Sequence, residues 1–308
     1  MLKKYQQTLS KPIVLVGKGL HTGKKSTIKI LPEIADKGIV FKRIDIKKNN
    51  LVKANYKNVS NAKLCTTLEN EFGTKVSTVE HLLAAFYISG VDNAMVEIDS
   101  EEVPIMDGSA SIFVNELKKQ NLKELSKKRK YLRVLKKVEL IDRDRKISIE
   151  KRDSTLDVEF HLNYKNKIIG KQKNKVNFHK DDVNEVVNSR TFCLYEDIEE
   201  IKKLGLAKGG SLENAVVVNK DKILNEDGLR NVNEFVNHKI LDLAGDFLLS
   251  GYRILGNVKC HQGGHELTNK FLRKLLNIDS AFEQVEVKDM VISEKIKSFQ
   301  SSKIAVNA

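Results

Sequence analysis

The sequence predicts an α+β protein made of two units in succession, and three observations lead there. A chain of 308 residues that is 41% hydrophobic is long enough for two domains. In each half, short runs of alternating apolar and polar residues precede segments with helical periodicity, so strands and helices are grouped rather than strictly interleaved. Between the halves, QNLKELSKKRKYL (residues 120–132) carries a charged run that reads as a connection. The first unit is accordingly placed at residues 1–122 and the second at 130–300.

Each element has a local reason. KPIVLVG, STIKILP and GIVFKRI alternate as strands, and VSTVEHLLAAFYISG is an apolar helix that should stop at Gly90. Ser77-Thr78-Val79-Glu80 fits a capping box at its start. NAMVEID resumes strand character. Beyond the charged run, YLRVLKKVELI, RKISIEK and STLDVEFHLNY alternate as strands, while IEEIKKLG and NEFVNHKILDLAGDF are helical. ILGNVKCHQ returns to strand and ELTNKFLRKLLN closes with a helix. No internal repeat and no low-complexity tract stands out.

Composition narrows the function classes. There is no apolar run of transmembrane length, and the longest near the N-terminus, Pro12 to Val16, is far shorter than a signal-peptide core. A cytoplasmic protein is expected, with a monomer as the default. Cys65, Cys193 and Cys260 are odd in number and lack CxxC spacing, so reduced thiols are expected rather than disulfides or a Cys-based zinc site. A net charge of +13 invites nucleic acid as a partner. Lysines are spread along the whole chain, however, and aromatics are only 6% with no Trp, which leaves few stacking platforms. No nucleic-acid partner is expected, and a positive surface suits a small anionic substrate instead.

The chemistry concentrates in a few places. His238, Asp242 and Asp246 follow one another at four-residue spacing, so they share one helical stripe while Val236, Ile240, Leu241, Ala244 and Phe247 face away. The stripe is either solvated surface or a site. An imidazole and a carboxylate four residues apart can reach one metal ion, and Asp246 could support a nearby His, with Gly245 permitting close approach of another segment. A catalytic zinc site needs a third protein ligand and an open position. His81 is a candidate, in an otherwise apolar helix directly after Glu80; its plain alternative is a core imidazole bonded to backbone. His265 stands at a helix start, where Gly263 and Gly264 separate it from His261, and it would need a carboxylate partner to stay cationic.

Seven phrases together carry a resemblance: KGLHTG, VSTVEHLLAA, VPIMDGSA, NSRTFCLYEDIE, GLAKGGSLENAVV, NEDGLRNVNEFVNHKILDLAGD and GGHELTNK. In order and across most of the chain, they resemble the UDP-3-O-acyl-N-acetylglucosamine deacetylases, zinc amidases of lipid A synthesis. The resemblance implies two α+β domains, each layering sheet and helices, with the active site in the cleft between them. It implies Zn2+, with Fe2+ able to use the same ligands, on His81, His238 and Asp242. Glu80 is implied as general base, His265 supported by Asp246 as general acid, and Thr191 as donor to the oxyanion. His21, Phe192 and Lys239 are implied to contact the UDP-linked acylated N-acetylglucosamine substrate, and Ile198, Leu206, Leu212 and Ala215 to line a passage for its acyl chain. Cys193 stands where the family is expected to have Gly, and Asn231 and Asn233 where aromatic or acidic residues are expected. Against this stand a basic nucleic-acid-binding protein and a noncatalytic sugar-nucleotide-binding relative.

Overall fold

The computed structural model describes residues 2–287, so positions 288–300 of the expected second unit lie outside the described residues. The fold is α+β. In the first half, a five-stranded sheet runs in the order Ile13–Lys18, Lys25–Pro32, Ala94–Ile98, Ile39–Arg43, Leu51–Lys53. Its strands bury alternate residues, with Ser26, Ile28 and Ile30 matched by Ala94, Val96 and Ile98, as a sheet with one covered face requires. Helix α1 (Glu80–Ser89) packs with α2 (Ser111–Lys118). It stops at Gly90, which takes the left-handed backbone of a helix end.

In the second half, Arg253–His261 is the spine of a seven-stranded sheet. It pairs with Arg145–Lys151, Leu156–Asn163 and Tyr131–Val134. Among the described residues this half has four helices: α3 (Asn184–Asn188), α4 (Ile198–Lys203), α5 (Glu234–Leu248) and α6 (His265–Leu276). Among the described residues no helix is long and apolar enough to cross a membrane.

Three expectations change. The charged run is no free connection: Lys123–Lys128 forms a strand antiparallel to Tyr5–Thr8. Apart from Leu125 its side chains are polar, so it gives no period-2 apolar signal. YLRVLKKVELI breaks into two strands, Tyr131–Val134 and Val138–Asp142. The capping box does not form, because Thr78 adopts a φ of 56° and the helix starts at Glu80 itself. A β-branched residue in that region carries strain.

The two halves share one contiguous apolar core, from Leu9, Ile28 and Phe86 to Phe247 and Phe271. They join where α1 lies along α5. A β-carbon at Gly245 would fall 2.1 Å from the Glu80 carbonyl oxygen and 3.0 Å from Ala84 N. Only hydrogen at that position lets the two helix backbones meet.

Candidate active site

That close approach assembles the site. α5 is buried almost all round, and His238 (2% exposed), Asp242 (4%) and Asp246 (3%) are as hidden as its apolar face. The stripe is therefore not solvated surface. Opposite it, the first turn of α1 presents Glu80 and His81, both buried.

His81, His238 and Asp242 converge, with one ligand-type atom from each lying within 4.8 Å of the others. Asp242 Oδ1 is 3.6 Å from His81 Nε2 and 3.4 Å from His238 Nε2. Donors about 2.0–2.1 Å from a tetrahedral metal ion stand roughly 3.3–3.4 Å apart, so these spacings fit one. The protonation pattern agrees. His238 Nδ1 lies 3.2 Å from the Ser189 carbonyl, which can only accept, so Nδ1 carries the proton and Nε2 turns a lone pair toward Asp242. Burial pushes His238 down to about 3 despite Asp242, which keeps it neutral. Burial opposes charge on Asp242 too, yet His238, Lys239 and His265 hold it well below the usual carboxylate range. Asp242 Oδ1 is thus a buried acceptor with no hydrogen bond, facing a second acceptor. A cation between them would remove a penalty of about 1–3 kcal/mol or more.

Beside this group, α6 begins at His265, whose Nδ1 is 2.8 Å from Asp246 Oδ2. Burial would lower its pKa, but Asp246, Glu80 and Asp242 raise it to about 10, so the imidazole is cationic at neutral pH. His265 Nε2 lies 3.8 Å from both Glu80 Oε1 and Asp242 Oδ2. Burial pushes the Glu80 carboxyl up, against the pull of His265 and His81. A buried carboxylate and an imidazolium thus flank the possible metal position, the pairing that amide hydrolysis requires.

The segment before α5 supplies the next wall. Glu234, fully buried, accepts from Arg190 N–H (3.0 Å), Arg190 Nε (2.8 Å) and Arg230 N–H (2.6 Å). This fixes the turn that carries Ser189 and Thr191; Thr191 N–H also donates to the Gly108 carbonyl at 2.8 Å. Phe192 stands edge-on to His238, with ring centroids 6.1 Å apart. Lys239 Nζ donates to Asp242 Oδ2 at 3.0 Å and lies 5.5 Å from the Phe192 ring centre. Asn231 reaches the Ser189 hydroxyl at 3.2 Å, and Cys193 pairs with Val217 between parallel strands.

His21 is buried, held through its N–H by Glu102 at 2.8 Å, and its Nε2 has no hydrogen-bond partner. The loop around it meets the 205–215 segment through Lys208 N–H to the His21 carbonyl. Residues 198–215 keep apolar side chains in solvent, Leu204 at 60% and Leu212 at 46% exposure; Ile198 and Leu206 are half-buried and Ala215 is buried. His261 does not join the cluster and stacks on His161. The three cysteines are free.

Sequence reasoning missed Thr66, which bonds Glu80 and Asp246, Ser189, whose carbonyl meets His238, the Arg190–Glu234 pair that fixes the Ser189 turn, and Glu102, which holds the His21 loop. A cavity of about 660 Å3 lies elsewhere, beside Lys37, Tyr56, Asp92, Arg129 and Arg253 near the C-terminal end of α1. It contains none of the converging acids and imidazoles.

Comparison with known proteins is consistent along the chain. Residues 6–277 match the family model described as UDP-3-O-acyl N-acetylglycosamine deacetylase. A UDP-3-O-acyl-N-acetylglucosamine deacetylase of Pseudoalteromonas translucida (strain TAC 125) is 39% identical over 281 residues, covering 90% of this chain and 92% of that protein. The enzyme of the same name from Geobacter sp. (strain M21) is 41% identical, with 92% of each chain covered. That of Actinobacillus pleuropneumoniae serotype 3 (strain JL03) is 37% identical over 92% of this chain and 94% of its own.

Proposed function

The chain belongs to the UDP-3-O-acyl-N-acetylglucosamine deacetylase family, and from that premise we propose a zinc-dependent hydrolase whose ion is held by His81, His238 and Asp242. The protein removes the N-acetyl group of UDP-3-O-acyl-N-acetylglucosamine, a reaction of lipid A biosynthesis. The observation that carries the metal proposal is the buried, unbonded Oδ1 of Asp242 facing two imidazole nitrogens. A zinc ion there supplies a Lewis acid that makes water a competent nucleophile near neutral pH.

The protein's own groups handle the protons. Glu80, already raised by burial, takes a proton from water as its oxygen bonds to the acetyl carbon. Thr191 donates to the carbonyl oxygen as negative charge gathers on it. His265, kept cationic by Asp246, delivers a proton to the amide nitrogen as the C–N bond breaks, so that a neutral amine leaves with acetic acid, which ionises to acetate in water. Lys239 and Phe192 border the reaction space, and His21 faces it from the first half. The exposed apolar side chains of residues 198–215 suit an acyl chain, with Ile198, Leu206, Leu212 and Ala215 along its passage. The substrate's uridine nucleotide makes the cytoplasm the compartment we propose.

Chelation should abolish acetate release from the UDP-linked substrate, and added zinc should restore it. Full turnover by protein shown to be metal-free by elemental analysis would end the proposal. Protein purified without oxygen and assayed for bound iron separates Fe2+ from Zn2+, since both accept these ligands.

A further inference from the structure

Thr66 precedes α1 in the sequence CTTLE and lies 180 residues from Asp246. It is 1% exposed, and each of its polar groups is used. Its N–H donates to Glu80 Oε2 at 3.0 Å, its carbonyl accepts from Val79 N–H at 3.4 Å, and its hydroxyl meets Asp246 Oδ1 at 2.7 Å. Against an ionised carboxylate that hydroxyl must donate.

We infer that Thr66 is a positioning residue that holds the base carboxylate and the acid's supporting carboxylate in register, each by the oxygen the reaction does not use. With Oε2 engaged by Thr66, Glu80 turns Oε1 toward His265 Nε2, 3.8 Å away. With Oδ1 engaged, Asp246 turns Oδ2 to His265 Nδ1 at 2.8 Å. One residue therefore sets the rotation of both acids, and through Asp246 the plane of the imidazole between them. Buried carboxylates without such anchors rotate, and small misplacements of reacting groups are expensive in rate.

This rests on the acid and base roles proposed above, and the test separates the two. Thr66→Val keeps shape and both backbone bonds but deletes the hydroxyl. Its kcat should fall about 10- to 100-fold, as for other groups that orient catalytic side chains, with KM and bound metal per chain unchanged. Thr66→Ser should recover most of the loss. In a His265→Ala background, Thr66→Val should cost little more, because the two act through one chain of bonds. Undiminished kcat in Thr66→Val, or equal losses in the two backgrounds, would overturn the inference. If valine prevents folding, Thr66→Ala removes the same hydroxyl and carries the same comparison. Wild-type rates in both Glu80→Gln and His265→Ala would instead sink the parent reading.

Discussion

Glu80 and His265 are close enough to interact, yet their surroundings push them toward opposite tasks. Burial raises Glu80 above the 4.5 of an ordinary glutamate, while the carboxylates around His265 outweigh burial and carry it to about 10. The proposed mechanism needs Glu80 deprotonated and His265 protonated. The rate should therefore rise with pH through the Glu80 ionisation and fall again as pH climbs toward 10. His265→Ala should erase the alkaline limb, and a limb that survives would reassign the acid. Glu80→Gln should lower kcat by about 10²- to 10⁴-fold with bound metal retained, checked by paired rate and metal assays. The shared stripe of His238, Asp242 and Asp246 was legible because a helix repeats its face every three to four residues. Thr66 and Glu102 were not, because a single Thr or Glu in an irregular segment has no period to stand out against.

The α1–α5 contact is where helix geometry becomes site geometry. Gly245→Ala removes glycine's penalty within a helix, about 1 kcal/mol, but drives a methyl to 2.1 Å from the Glu80 carbonyl. Overpacking of this kind costs about 1–3 kcal/mol and forces backbone to move, so the clash should win. A lower denaturation midpoint is expected, together with a turnover loss larger than the unfolded fraction explains, because the displaced residue is Glu80. Unchanged stability and turnover would mean the helices have slack at their crossing. At this scale, alternation exposed the Lys25–Pro32 and Ala94–Ile98 strands, and an apolar run exposed α1. Lys171–Asn177 escaped detection: it is a mostly polar strand that, among the described residues, pairs only with Leu156–Asn163, so its sequence has little apolar pattern to show.

Across the whole molecule, the two halves are fastened at the far end of α1 from the site. Asp92 accepts from Arg129 Nη2 at 2.6 Å and from Arg253 Nε at 3.1 Å, and Arg253 also donates to the Tyr87 carbonyl at 2.6 Å. Both guanidiniums are buried. Asp92→Ala would leave them unpaired, at a cost of about 3–5 kcal/mol. The urea midpoint should drop with an unchanged slope, and the folded fraction should keep near-normal turnover. A loss below about 1 kcal/mol would show that the helix-end carbonyls alone suffice for the two arginines. The sequence by itself determined the α+β class and the helices that carry the candidate ligands, which are written in local period and spacing, and seven ordered phrases pointed by resemblance to the family. Only the tertiary structure decided that Glu80 and His81 face Asp242 and Asp246, that Thr66 spans two acids and that the halves share one core. Those contacts join residues far apart in the chain, and their free energy comes from burial and hydrogen bonds that exist only once both partners are in place.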